Sequence, residues 1–366
     1  MATPLKDLYS KPFYEKLCTF LSEVLPDFSS ERFLKSIFTN EFKNMELKQR
    51  MWHTSDVLHQ FLSGNYEKDI EKILKLIELM QKNGVSENSL EYMFLPEYIS
   101  NFGLEFFEVS VQAIETVTQF TSCEFAVRPF IVKYDDRMLQ QMLTWSKHAN
   151  KKVRRLASEG SRPRLPWAIA LPKLKKDPTP ILAILENMKN DPCEVVRRSV
   201  ANSLNDISKD NPQILTNIAK KWLGKSTETD AIVKHACRTL LKSGNKEILQ
   251  MFQLESSNIV FDDFSIITPT VNIGEIITFT FRVENTKNSP QKIRIEYAMY
   301  FKKANGSLTK KVFKISEKLF EANEKNTVVR NHSFRLITTR KYYIGTHKVG
   351  IILNGEEYHT LSFDLM

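Results

Sequence analysis

The feature that most constrains this chain is an internal repeat in its middle. Trp145 to Arg155 and Met188 to Arg198 share one pattern: an apolar helix ends, a short polar turn follows, and Val153-Arg154-Arg155 or Val196-Arg197-Arg198 opens the next helix. A weaker third copy is expected to open at Val233-Lys234-His235. The spacings are 43 and 37 residues. A period of about 37–47 residues made of two helices is the mark of HEAT-type solenoids. One helix pair cannot bury its apolar face alone, so stacked pairs share a continuous core and leave a concave surface for a long ligand.

The rest of residues 1–254 also reads as helical. From Glu67 to Gln81, Ile70, Ile73, Leu74, Leu76, Ile77 and Met80 fall on one stripe, and Asn83-Gly84 supplies the stop. Further helices are expected near 13–24, 30–42, 46–62 and 102–119. Near residue 255 the period changes from helical to alternating, as in Thr278-Phe279-Thr280-Phe281-Arg282-Val283. Seven short strands are expected near 258–263, 275–284, 292–301, 310–315, 327–336, 343–353 and 358–365. Asn305-Gly306 and Asn354-Gly355 are hairpin turns. The expected architecture is a mainly α, HEAT-like solenoid over 1–254. An immunoglobulin-like β-sandwich over 255–366 follows it, with an all-β barrel as the lesser alternative.

Charge narrows the function. The net charge is +9, but residues 1–124 carry −7, residues 125–255 carry +11 and residues 256–366 carry +5. A localised positive field suits a polyanion, nucleic acid above all. No run of 18 apolar residues exists and the N-terminal Met1–Asp7 has no apolar leader core, so a cytoplasmic protein without a membrane anchor is expected. Cys18, Cys123, Cys193 and Cys237 are scattered, and His53 and His59 are spaced as ordinary helix residues. Neither a disulfide framework, a metal site nor a cofactor is expected. The nucleotide-binding glycine motifs and the common hydrolase motifs are missing from the sequence.

Carboxylates in the basic region stand out. The helix opening at Val153 should stop at Gly160, with Glu159 in its last turn, where the helix dipole disfavours an anion. Lys151, Lys152, Arg154, Arg155 and Arg162 surround it in sequence. Such a breach of local preference marks a candidate site, the plainer reading being an ion pair with Arg155 or Arg162. The stiff Arg162-Pro-Arg164-Leu-Pro-Trp167 loop offers two guanidinium forks and an indole to phosphates and a nucleotide, unless Trp167 merely packs in the core. One repeat on, Asp206 lies off the apolar face of Val196, Val200, Leu204 and Ile207 and is expected to project into the groove. Glu124, between two apolar stretches, is a third acid.

Three runs together resemble the AlkC branch of the AlkC/AlkD alkylpurine DNA glycosylases: Cys123-Glu-Phe-Ala-Val-Arg-Pro-Phe130, Ala157-Ser-Glu-Gly-Ser-Arg-Pro-Arg-Leu-Pro-Trp167 and Arg197-Arg-Ser-Val-Ala-Asn-Ser-Leu-Asn-Asp206. Thr338 to His347 and Ile352-Leu-Asn-Gly355 look like the immunoglobulin-like domain of one AlkC subgroup. The resemblance implies excision of cationic N-alkylated bases, such as 3-methyladenine and 3-methylcytosine, from double-stranded DNA by a monomer that does not flip the lesion into a pocket. It implies Glu124, Glu159 and Asp206 as the acidic site residues and Trp167 beside the damaged nucleotide. Arg155, Arg162, Arg164 and Arg198 are expected to bind DNA. The competing expectation is a non-catalytic HEAT-repeat adaptor for DNA or protein. Carboxylates in a basic groove argue against it, because a pure DNA binder has no use for acids facing phosphates.

Overall fold

The computed structural model describes residues 4–87 and 89–366. Met1–Thr3, part of the segment read above for a leader, lie outside them. Among the described residues the chain forms sixteen α-helices and then eight strands. It divides into two compact units, residues up to 215 with 221–236, and residues 216–220 with 237–366. No described helix is long and apolar enough to cross a membrane.

The first unit begins with α1 (Lys11–Val24), α2 (Ser30–Ile37), α3 (Leu47–His59), α4 (Tyr66–Lys82), α5 (Phe94–Phe102) and α6 (Phe107–Val117). In α4 the expected stripe is the buried one, apart from a half-buried Leu74, and Asn65 caps the helix by accepting from Lys68 N. Two expected helices are shorter than their patterns. α2 stops at Ile37, just before Thr39 and Asn40, both weak helix formers. The helix expected to start at Phe102 is split by Gly103, which caps α5.

The basic middle comprises α7 (Val127–Tyr134), α8 (Asp136–Trp145), α9 (Lys151–Gly160), α10 (Pro172–Lys176), α11 (Thr179–Asn187) and α12 (Glu194–Ile207). They are followed by α13 (Pro212–Trp222) and α14 (Thr227–Ala236). α9 packs against both α8 and α12, α11 against α8, and α12 against α14. Val153, Leu156, Val196, Val200, Leu204, Ile207 and Val233 are buried, as the repeat requires. Arg154 ties one repeat to the next, with Nε 2.5 Å and Nη2 3.0 Å from the carboxylate of Asp191. Asp191 in turn accepts from Cys193 N at the start of α12.

The repeat helices open earlier than their valines. α9 starts at Lys151, capped by Asn150 accepting from Lys152 N at 2.8 Å. The third copy differs more. α14 opens at Thr227, where Ser226 Oγ accepts from Thr229 N, so Val233 sits well inside the helix.

Gly160 does end α9, but as its last helical residue and not as a left-handed cap. A Cβ there would lie 2.6 Å from Val127 Cγ1 and 2.9 Å from Met142 Cε, so the residue is glycine because α7 and α8 press against it. Gly160→Ala should destabilise the protein by about 1–3 kcal/mol through overpacking, read as a lower denaturant midpoint. A midpoint equal to that of the wild type would show that the contact relaxes freely.

The second unit holds α15 (Arg238–Lys242), α16 (Lys246–Met251) and the strands β1 (Ile259–Ile266), β2 (Thr270–Val271), β3 (Ile276–Asn285), β4 (Gln291–Lys302), β5 (Leu308–Phe320), β6 (Lys325–Ser333), β7 (Gly345–Leu353) and β8 (Glu356–Leu365). They form two sheets, β1-β3-β6 and β2-β8-β7-β4-β5. Every pairing is antiparallel except the two-residue β2 on β8. β2 was not expected, because two residues are too few to show a period. In β3 the inward face is Ile277, Phe279, Phe281 and Val283, packed with Ile293, Ile295, Tyr297 and Met299 of β4. This aromatic and aliphatic core stands where other sandwiches carry a disulfide. Asn354 (φ 45°) and Gly355 (φ 82°) make the tight β7–β8 turn, both residues in the left-handed region that such turns need. Asn354 Nδ2 also donates to Glu255 O, tying that turn to the residues that follow α16.

Candidate active site

Two carboxylates and one guanidinium are buried together where α9 meets α12. Arg162 Nη1 is 2.5 Å from Glu159 Oε1, and Arg162 Nε is 2.8 Å from Asp206 Oδ2. Asp206 is 1% exposed at its side chain, Glu159 and Arg162 8% each. Burial opposes the charge on Arg162, but Glu159 and Asp206 together outweigh it, and the guanidinium pKa lies above its ordinary value. Ser199 Oγ donates to Glu159 Oε2 at 2.6 Å and is itself 2.6 Å from Ser158 Oγ. Lys209 Nζ reaches Asp206 Oδ1 at 2.9 Å from a more exposed position. Two buried acids therefore share one buried cation.

The surrounding segments are braced from α7. Arg128 is fully buried; its Nη1 donates to Gly160 O and Arg162 O, both at 2.8 Å, and its Nε to Ile169 O at 2.7 Å. It thus holds both ends of the proline-rich loop. Burial first, and then the charge of Arg162, hold the Arg128 guanidinium down to about 10. Glu124, in the turn before α7, pairs with Arg155 Nη2 at 2.8 Å and accepts from Ser122 Oγ at 3.0 Å.

Glu124, Glu159, Arg162 and Trp167 line one pocket of about 280 Å³, walled otherwise by Phe125, Tyr9 and the apolar side chains of α3 and residues 90–93. Trp167 is 64% exposed, not packed in the core. Asp206 is not a lining residue; it lies one layer further in, against Arg162, so it does not project into a groove as the helix pattern suggested.

The four arginines expected at DNA differ in placement. Arg162 is committed to the two carboxylates and is no surface fork. Arg164 pairs side-on with Asp210, Nε to Oδ2 at 2.8 Å and Nη2 to Oδ1 at 2.5 Å. Arg155 is on Glu124, and Arg198 is well exposed beside Glu194. Arg197, Arg198 and His235 line a separate open pocket of about 300 Å³ between α12 and α14. Among the described residues no group of three His, Cys, Asp or Glu is placed to hold a metal ion.

The model of the family described as DNA alkylation repair enzyme matches residues 34–240, more than half of the chain. The chain belongs to that family. A second family model, described as the C-terminal Ig-like domain of the uncharacterised protein YhaZ, matches residues 260–366. The chain is 40% identical over 362 residues to the uncharacterized protein YhaZ of Bacillus subtilis, covering 99% of each. It is 33% identical to the alkylpurine DNA glycosylase AlkC of Pseudomonas fluorescens, solved bound to DNA containing an abasic site analog. That match covers the whole of both chains with a TM-score of 0.92.

Within this DNA alkylation repair fold, sequence reasoning missed Ser199 and Arg128. Ser199 is a small polar residue on a packed helix face and gives no signal by itself. Arg128 gave one: an arginine followed by proline inside the apolar run Phe125–Val132 must find several acceptors if it is buried.

Proposed function

We propose that the chain is a DNA glycosylase that hydrolyses the N-glycosidic bond of cationic N-alkylated bases, 3-methyladenine and 3-methylcytosine, in double-stranded DNA. It acts as a cytoplasmic monomer, with carboxylate assistance and without flipping the lesion into a pocket. The single observation that carries this reading is a surface recess, walled in part by the basic middle of the chain, that presents Glu124 and Glu159 beside the exposed indole of Trp167. Membership of the repair family and the full-length likeness to a glycosylase solved on DNA support it.

The residue types suit the reaction. An N3-alkylated base already carries positive charge, so it leaves without a general acid. As the C1′–N bond breaks, its electron pair neutralises the base and positive charge builds on the sugar. Carboxylates fixed beside that sugar stabilise the cation, and one can take the proton of the attacking water. Glu159 and Asp206 share the Arg162 guanidinium, Lys209 meets Asp206 from the outer side, and Ser199 and Arg162 fix Glu159 in place at the pocket wall. A neutral base would need a proton donor, which accounts for restriction to cationic lesions.

The deciding experiment is single-turnover assay of methylated duplex DNA for free 3-methyladenine and 3-methylcytosine. Release supports the reading; tight DNA binding without release would leave a HEAT-repeat DNA adaptor instead. DNA affinity should also depend steeply on salt, each phosphate contact adding about 0.9 to the slope of log affinity against log salt. A nearly flat salt dependence would remove the +11 segment from the account of binding.

A further inference from the structure

Trp167 is a bulky residue with φ 65°, a backbone conformation that L residues rarely adopt, and its indole is out in solvent. Something must hold it there. Two bonds within the loop help, Ala168 N to Leu165 O at 3.3 Å and Leu171 N to Pro163 O at 3.2 Å, and Arg128 secures the flank at Ile169. None of these touches Trp167. The contact that does comes from a distant helix: Lys48 of α3 donates from Nζ to Trp167 O at 2.8 Å.

The same ammonium lies 5.2 Å from the centre of the Phe125 ring and 5.0 Å from that of Trp52, within cation–π range of both. Phe125 follows Glu124 in the turn before α7, and Lys48, Phe125 and Trp167 all line the same pocket. One cation therefore joins three segments far apart in sequence: α3, the turn that carries Glu124 and the loop that carries Trp167.

We propose that Lys48 is a positioning residue, which fixes Trp167 and Phe125 as two walls of the pocket and so sets how the damaged nucleotide fits against Glu124 and Glu159. This rests on the reading of the pocket as the glycosylase site. Lys48 acts through its neighbours and takes no part in bond breaking. It is half-buried, and its ammonium is directed at a carbonyl and two rings.

The test is Lys48→Met, which keeps the stem and removes the donor and the charge. Three results are expected. In the free protein, hydrogen exchange followed by mass spectrometry should quicken over residues 163–171, which hold the Ala168 and Leu171 amides. With methylated DNA, kcat/KM for base release should fall about tenfold, while the salt slope of binding to undamaged DNA stays unchanged. The double variant with Trp167→Ala should be slower than Trp167→Ala alone by clearly less than the Lys48→Met loss, because only Phe125 is then left for Lys48 to position.

Unchanged exchange over 163–171 overturns the proposal. So does a salt slope reduced by about 0.9, which would make Lys48 a phosphate contact, or losses that simply multiply in the double variant. Lys48→Ala serves as the second variant if the methionine form does not fold. Should the wild-type protein release no base at all, the glycosylase reading fails by itself, and the exchange result still decides whether Lys48 holds the loop.

Discussion

Glu159→Gln and Asp206→Asn should each slow release of 3-methyladenine by on the order of 10²–10³, the cost typical of losing one fixed electrostatic group at a reacting centre. Each amide keeps the size of the acid and one of its two acceptor oxygens, and deletes its charge. At Glu159 the change is made on the pocket wall itself, so the sugar cation loses a neighbouring anion. Asp206 is one layer in, and its amide leaves Arg162 with a single anionic partner, so the guanidinium neutralises Glu159 more fully and less negative charge acts at the pocket wall. DNA affinity should hold or rise in both variants, since each removes a negative charge from within the basic middle of the chain. Single-turnover excision with saturating enzyme separates these effects. Amide variants that excise at the wild-type rate would end the carboxylate-assisted mechanism.

Arg162→Met should be the most damaging change to stability. It leaves Glu159 and Asp206 buried without their shared cation. Breaking a buried ion pair from one side costs about 3–5 kcal/mol, because the remaining charge has been taken out of water and has no partner. Lys209 still reaches Asp206 from the more exposed side, so Glu159 bears most of the penalty. The check is chemical denaturation of three proteins: wild type, Arg162→Met, and the double variant with Glu159→Gln. The double variant should recover part of the loss, since it removes the stranded charge. A single variant as stable as the wild type would mean that solvent reaches the triad freely, contrary to its burial.

Much of this architecture is legible in the residues. The stripe in α4, the valines of α9 and α12 and the alternation of β3 each report a local period, and a local period follows from which face of an element must leave water. The change from period 3.6 to period 2 near residue 255 was visible for the same reason. What the patterns misjudged were features with no period: the two-residue β2, the start of α14 and the reason for Gly160. That glycine sits in an ordinary helical conformation, and only the approach of Val127 and Met142 excludes a side chain there.

The site divides along the same line. The residues alone show that acids stand among arginines, that a stiff proline-rich loop carries a tryptophan, and that three runs resemble those of one repair family. They also show that Arg162 is three residues from Glu159, close enough to pair on or just beyond one helix end. It took the packed fold to show that the same guanidinium reaches Asp206 on the next repeat, that Arg128 holds the loop at both ends and that Lys48 meets Trp167 across 119 positions of chain. Pairings within a turn of helix follow from covalent geometry. Pairings between helices depend on how whole apolar faces stack, and the resulting burial turned an arginine expected at phosphate into the counter-ion of two carboxylates.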